Sequence, residues 1–325
     1  MRAPDFWRDD NPMARLLAPL GAVYAWAVRR NLENAEEYRP AVPVICVGNI
    51  VAGGAGKTPV CIALARRLIV AGAKPHFLTR GYGGSEVGPR AVDLDRHDFA
   101  RVGDEALLLA REAPTWVARW RPDGAVAAAQ MGAGLIVMDD GFQNGTIAKD
   151  LSLVVADGEY GFGNGRVLPA GPCREPPERG LERADALVVV GEDRRGLGGL
   201  AAARGLPLLA ARLVPGPEAA WFEGRKVVAF AGIGRPDKFF ATLRQCGARL
   251  TSTHSFPDHH AYERKDVEAL LAEAEANEAA AVTTAKDAVR LPADLRARVR
   301  VLSVTLDWED PSLLTPLLDR IGVRA

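Results

Sequence analysis

Charge of one sign is what this chain lacks most plainly: among its 325 residues, Lys plus Arg and Asp plus Glu number 41 each. A net charge of zero argues against a nucleic-acid binder, whose affinity comes largely from excess basic residues that neutralise phosphate, so any polyanion must be met by a local site. Cysteine is scarce as well. Cys46, Cys61, Cys173 and Cys246 stand far apart with no C-x-x-C pair, which argues against a zinc site and a disulfide framework and leaves a reducing cytosol as the default. There is also no apolar run of the ~20 residues that a spanning helix needs. The stretch Leu16 to Val28 (LLAPLGAVYAWAV) is shorter, is flanked by Arg15, Arg29 and Arg30, and passes into NLENAEEYRP with no small-residue cleavage site. It reads either as a helix buried against the protein or as an interfacial helix. In the second case Tyr24 and Trp26 lie at headgroup depth and the arginines face anionic lipid.

What is present is ordinary for a globular protein: 48% hydrophobic and 25% charged residues. At roughly 150 residues per domain the length suggests about two domains. VPVICVGNI (43–50), KPHFLTRGYGG, TWVARW, GLIVMDDGFQ (134–143), LSLVVADG (151–158), ALVVVG and PLLAARLVP read as strands, with helical patterns between most of them. Continuous apolar strands separated by helices indicate a parallel sheet covered on both faces. Residues 158–177, dense in Gly and Pro, hold no regular element and are the kind of long segment that is usually functional or disordered. A second αβ unit starts near Lys226 (KVVAFAGIG) and runs through RLTSTHSF and AAVTTAK to VRVLSVTLDW, and VPGPEAAW is the best boundary before it. The expected spans are an N-terminal membrane-associating helix at 1–30, a larger αβ domain at 31–220 and a smaller αβ domain at 221–325.

VAGGAGKTP (51–59) is the strongest local signal, because a phosphate-binding loop needs a strand, a glycine-rich turn, Gly-Lys-Ser/Thr and then a helix. Gly53, Gly54 and Gly56 let the backbone curl so that N–H groups point inward, with Val51, Ala52 and Ala55 completing the loop. Lys57 would reach the β- and γ-phosphates and the Thr58 hydroxyl would bind Mg²⁺, while the helix that follows presents its positive end. Pro59 is tolerated in a first helical turn. The strict pattern has glycine where Val51 stands. MDDGFQ (138–143), an apolar strand ending in acids, offers Asp139 and Asp140 as Mg²⁺ ligands, or simply an Asp-Asp-Gly turn. Asp104 in VGDEALLL either caps a helix or serves as a base. SFPDHHAY places His259 and His260 in the second unit, and an Asp–His pair bridging the two units would suit transfer to a hydroxyl. Arg80 and Tyr82 in TRGYGG, with Arg166 and Arg174 in the Gly/Pro segment, are candidates to hold phosphate, although a surface position is the commoner fate of an arginine.

At this point the sequence resembles one family. VGNIVAGGAGKTP, LTRGYGG, VGDEALLLA, MDDGFQ, LPAGPCREP, AFAGIGRPDKFF, FPDHHAY and TTAKDAVRL occur in the order seen in tetraacyldisaccharide 4'-kinases, over about residues 43–291. The resemblance implies a P-loop NTPase-like α/β fold and transfer of the ATP γ-phosphate to the 4'-hydroxyl of a tetraacyldisaccharide 1-phosphate, giving lipid IVA in lipid A biosynthesis. It implies ATP and Mg²⁺ as cofactors, and a peripheral enzyme on the cytoplasmic face of a bacterial inner membrane. The expected partners are the lipid A disaccharide precursor and the membrane surface, with no nucleic acid and no obligate protein partner. Carried over, Lys57 and Thr58 serve nucleotide and metal, Asp139 and Asp140 lie at the metal with Glu175 added to its shell, and Arg174 contacts phosphate. Asp104 with His259 forms the base pair, and Arg80, Tyr82 and Gln143 meet the substrate. The chain departs from the family at Ala55, usually Ser, and at Ala285, usually Glu.

Three other readings compete. A GTPase would show N-K-x-D or T-K-x-D after a strand, but Thr284-Ala285-Lys286-Asp287 has its lysine one place late. A cytosolic small-molecule kinase or ligase would not need the N-terminal apolar run. A non-catalytic nucleotide-binding module would not need metal, base and phosphate ligands together.

Overall fold

The structure, a computed structural model, describes residues 4–323, so the outermost ends of the expected 1–30 and 221–325 spans lie outside the described residues. The chain forms β1 (Val44–Gly48), β2 (Pro75–Thr79), β3 (Arg90–Ala91), β4 (Thr115–Val117), β5 (Leu135–Asp139), β6 (Leu151–Asp157), β7 (Ala186–Val190) and β8 (Leu208–Pro215), then β9 (Lys226–Ala231), β10 (Arg249–Ser255), β11 (Ala280–Thr284), β12 (Arg300–Leu302) and β13 (Val304–Trp308). Nine strands make one sheet, in the order β13-β8-β7-β6-β1-β5-β2-β4-β3, and four make another, β10-β9-β11-β12. Pairing is parallel except at the two edges of the larger sheet, where β13 meets β8 and β3 meets β4 antiparallel. The central strands β1, β2, β5 and β7 are buried at every position, as expected of a parallel sheet covered on both faces.

β5 lies between β1 and β2, so consecutive strands of the chain are not neighbours there, and Val47 of β1 pairs with Asp139 of β5. Such a reversal of strand order opens a crevice at the carboxyl ends of the strands, where ligands of α/β sheets bind. Helix α1 (Pro12–Glu33) is capped by Asn11, whose side chain accepts from the Ala14 amide, and it contains the apolar run. Its buried residues are Ala14 and Gly21; a Cβ at Gly21 would stand 2.9 Å from the Val167 carbonyl oxygen, so this face is docked on the Gly/Pro segment.

The run VRVLSVTLDW does not form one strand. It breaks at Ser303: β12 stays in the small sheet, and β13 crosses to pair with β8 in the large one. Gly216 donates to the Ser303 carbonyl and the Ser303 amide donates to Glu218, which holds the crossing point. Leu314, Leu317 and Leu318 then pack into the core of the large sheet. The expected 221–325 unit is therefore too long at its carboxyl end, because these leucines find their apolar partners on the other sheet.

Candidate active site

Helix α2 (Lys57–Val70) begins directly from the glycine loop, with Gly56 at its amino-terminal cap at φ 88° and Gly53 at φ 126°. Residues 172–174 of the Gly/Pro stretch lie alongside this loop: the Ala52 amide donates to the Pro172 carbonyl at 2.7 Å, the Arg174 amide donates to the Ile50 carbonyl at 2.7 Å, and Val51 forms a β-bridge with Cys173. That bridge accounts for a branched residue where the strict pattern has glycine, since Val51 sits in an extended pairing that suits a β-branched side chain.

The two aspartates at the end of β5 have opposite surroundings. Asp139 is buried and receives the Thr58 hydroxyl on Oδ2 at 3.3 Å, while its Oδ1 has no hydrogen-bond partner among the described residues. Burial, then the nearby Glu105 carboxylate, push its pKa up to about 7. Asp140 is ion-paired with Arg174 through both guanidinium nitrogens, at 2.7 and 3.1 Å, and lies 3.6 Å from the Lys57 ammonium. Burial opposes its ionisation, but Lys57 and Arg174 outweigh burial and hold its carboxyl below the ordinary carboxylate range. Asp140 is also at φ 53°, in the left-handed region, and His259 is at φ 58°. Strained non-glycine backbone of this kind concentrates at functional sites.

A buried carboxylate oxygen without a partner, beside the Thr58 hydroxyl, is a fit for a hard divalent cation. Among the described residues no group of three or more His, Cys, Asp or Glu side chains gathers to form a metal cage. Magnesium does not need one, because it keeps several waters and is usually bound by one or two carboxylates together with substrate phosphates.

Across the crevice, helix α3 (Asp104–Ala110) presents Asp104, which is 3% exposed. Its Oδ1 accepts from the Glu105 amide at 2.8 Å, and its Oδ2 lies 2.9 Å from His259 Nδ1 and 3.4 Å from Arg290 Nε. Burial opposes ionisation of Asp104, yet the bond to His259 and the charges of Lys286 and Arg290 hold its carboxyl below its ordinary value. One carboxylate thus accepts from the amide that follows it in the first helical turn and engages a histidine 155 positions away. His260 turns elsewhere: it stacks on Phe256 and contacts Asp266 at 3.4 Å. Tyr82 meets the His259 ring edge-on at 5.3 Å. Gly103 allows this approach, since it has φ 87° and a Cβ there would stand 2.4 Å from the Tyr82 carbonyl oxygen. Arg80 and Tyr82 are both exposed on this rim.

Other expected residues are placed differently. The Glu175 carboxylate is taken by Arg183, at 2.5 and 2.6 Å, and by the Gln143 amide at 2.9 Å, so it turns toward those groups and away from a metal-shell role. Gln143 also donates to the Asn49 carbonyl and accepts from Arg174 at 3.4 Å, which makes it a brace between the loop and Arg174. Arg166 pairs with Asp10 at 2.9 Å, ahead of α1. Asp287 of the T-x-K-D stretch is fully buried. It accepts from the Gly232 amide, the Tyr262 hydroxyl, the Thr284 hydroxyl and Arg290, leaving it no free edge for a guanine base. Sequence reasoning missed Glu105, Lys286, Arg290 and the buried Arg121, whose pKa is lowered to about 10 by burial and then by Arg80. Glu105 adjoins Asp104 in the same motif, Lys286 and Arg290 lie in TTAKDAVRL, which was set aside because it departs from the family at Ala285, and Arg121 carried no signal.

A glycine loop on a central parallel strand, a threonine and an aspartate facing each other at its end, and an Asp–His pair across the crevice define a P-loop phosphotransferase. A family model described as "Tetraacyldisaccharide-1-P 4'-kinase" matches residues 13–322. The chain is 82% identical to a tetraacyldisaccharide 4'-kinase of Paramagnetospirillum magneticum over the whole of both chains. It is 53% identical to that of Rhodospirillum rubrum, over 99% of this chain and 98% of the relative. Its fold matches LpxK from Aquifex aeolicus, solved in complex with ATP, with a TM-score of 0.74 at 24% identity over 95% of this chain and 99% of that one. The chain belongs to the tetraacyldisaccharide 4'-kinase family. Among the described residues no helix is long and apolar enough to cross a membrane.

Proposed function

We propose that the chain moves the γ-phosphate of ATP onto the 4'-hydroxyl of tetraacyldisaccharide 1-phosphate, with Asp104 and His259 as the proton acceptor. The observation that carries this reading is the contact between Asp104 and His259 at the edge of the crevice that holds the phosphate loop. Backbone N–H groups of residues 51–58 cradle the triphosphate. Lys57 and Arg174, both now resting on Asp140, are placed to shift onto phosphate oxygens, where a planar guanidinium binds two at once. Thr58 and Asp139 would hold Mg²⁺, which supplies charge neutralisation at the β- and γ-phosphates. Gln143 and Glu175 act through Arg174 and Arg183 as positioning residues. The hydroxyl oxygen of the sugar forms its bond to phosphorus as the bond to the ADP oxygen breaks, and the hydroxyl proton passes to the His259–Asp104 pair. Arg80 and Tyr82 on the rim meet the sugar phosphate.

The exposed face of α1 supports membrane contact. Leu16, Leu20 and Val23 are 73%, 57% and 63% exposed, at spacings that put them on one side of the helix. Tyr24 and Trp26 are exposed beside them, with Arg15, Arg29 and Arg30 nearby. This composition suits an amphipathic helix lying in the interface of an anionic leaflet, here proposed as the cytoplasmic face of the inner membrane.

The test is transfer of radiolabel from γ-labelled ATP to a lipid-extractable disaccharide. Asp104→Ala is expected to lower kcat by ~10²–10⁴-fold, the share that general-base help supplies. Label appearing only in inorganic phosphate, or an unchanged kcat in this variant, would overturn the reading.

A further inference from the structure

The Asp104–His259 pair does not stand alone. Lys286 follows β11 at the carboxyl edge of the small sheet, and its ammonium lies 3.4 Å from His259 Nε2, 3.5 Å from Glu105 Oε1 and 4.0 Å from Asp104 Oδ2. We propose, resting on the base assignment above, that Lys286 is a positioning residue: it fixes the His259 imidazole in the tautomer that carries its proton on Nδ1 and keeps the Nε2 lone pair turned toward the acceptor hydroxyl.

The argument begins with what each group can donate. A lysine ammonium has hydrogens to give and no lone pair, so a ring nitrogen bonded to it must accept. Asp104 Oδ2, 2.9 Å from Nδ1, is a carboxylate oxygen and can only accept, so Nδ1 must carry the proton. The two contacts therefore select the same tautomer from opposite sides of the ring. Asp258 has the opposite demand, but its Oδ1 is 3.9 Å from Nε2, beyond hydrogen-bond reach. That oxygen instead accepts from the His259 amide at 3.1 Å.

The backbone around these groups is held so that the ring has little else to decide. A single buried guanidinium, Arg290, donates to the Lys286 carbonyl at 3.2 Å, to the His260 carbonyl at 3.1 Å and to the Gly232 carbonyl at 2.9 Å. The His259 amide donates to the same Gly232 carbonyl. Arg290 thus sets the lysine turn and the histidine loop at one separation. Besides its contact to Nε2, the Lys286 ammonium is held by two carboxylates from α3, Glu105 at 3.5 Å and Asp104 at 4.0 Å. An entering sugar hydroxyl can replace that contact while the ammonium keeps Glu105.

The measurement is the ¹⁵N spectrum of the imidazoles in histidine-labelled full-length protein, with the His259 signal assigned by its loss in His259→Asn. The wild type is expected to show Nδ1 protonated and Nε2 bare. In Lys286→Met, the signal is expected to move toward a mixture of tautomers. The kcat of that variant should fall ~10-fold or more, short of the ~10²–10⁴-fold that the whole of general-base help supplies, while KM for ATP and for the lipid changes little. Lys286→Arg, which keeps a donor and a charge, should recover part of the lost kcat. A wild-type spectrum with the His259 proton on Nε2 would overturn the proposal even if no Lys286 variant folds. So would a Lys286→Met protein with unchanged tautomer and unchanged kcat. If instead His259→Asn keeps full activity, the base assignment fails while the tautomer readout still decides the part played by Lys286.

Discussion

Asp139 and Asp140 are chemically identical neighbours that the site treats as opposites. Asp140 has two cations against it and stays ionised, whereas Asp139 has a hydroxyl, an acidic neighbour and one unpartnered oxygen. In the metal-free protein this makes Asp139 a source of instability with a definite pH dependence. Unfolded, its carboxyl titrates near ~3.9; folded, it titrates at about 7. The folded state therefore favours the protonated form, and the contribution of Asp139 to stability is full below the unfolded value and is lost as pH rises to about 7. Asp139→Asn should be more stable than wild type at pH 8 without metal by roughly 1–3 kcal/mol, the scale of an unsatisfied buried polar group, and so melt at a higher temperature. The gain should vanish near pH ~4, where the wild-type carboxyl is protonated as well. Adding Mg²⁺ and nucleotide should stabilise the wild type and not the variant. Thermal melts with and without metal at the two pH values would check all three outcomes.

At the scale of elements, α1 and the strip of chain beside the phosphate loop show how little their own propensities decide. The segment 172–174 has no regular structure of its own, yet it pairs backbone to backbone with residues 50–52 and supplies Arg174 to the site. α1 is a good helix by its cap and composition, but its large apolar side chains point away from the protein. Replacing Leu16, Leu20 and Val23 together with Ser should release the protein from anionic vesicles, since each buried CH₂ group contributes about 0.8 kcal/mol to such binding. Turnover on detergent-dispersed lipid should change far less than turnover on vesicles, because these side chains touch neither loop nor base. Co-sedimentation and paired assays would show it, and equal loss in both assays would place α1 in the substrate site itself.

Over the whole molecule, two polar clusters among the described residues tie the units of the two sheets together besides the crossing at Ser303. One is the base pair with its Lys286 and Arg290 partners. The other joins Asp157, at the end of β6, to Arg235 at 3.1 Å and Lys238 at 3.1 Å, both from the small-sheet unit. Burial opposes the ionisation of Asp157, and those two cations outweigh it. Asp157→Ala should lower stability by only about 1 kcal/mol or less, because both cations are exposed enough to regain water. Its effect on kcat should be larger than its effect on Tm, since the base is shared between the units and depends on their mutual placement. Turnover together with small-angle scattering would test this; an unchanged kcat with a more open molecule would show that the second contact does not set the base.

How much of this was legible in the chain follows the range of the interactions. VAGGAGKTP and MDDGFQ announced themselves because a loop that curls around phosphate and a strand that ends in acid are local constructions, set by glycine torsions and by a few consecutive residues. The alternation of apolar strands and helices dictated a covered parallel sheet for the same reason. Residue patterns alone left His259 and His260 open and only the resemblance favoured His259; the tertiary structure decided that Asp104 lies against His259, that Glu175 belongs to Arg183, and that the run through Ser303 is divided between two sheets. In each case competing partners of equal chemistry lie one to three residues apart or on different units. The choice among them rests on where the backbone is held, by groups such as Arg290 and the Gly232 carbonyl, whose partners no local spacing reveals.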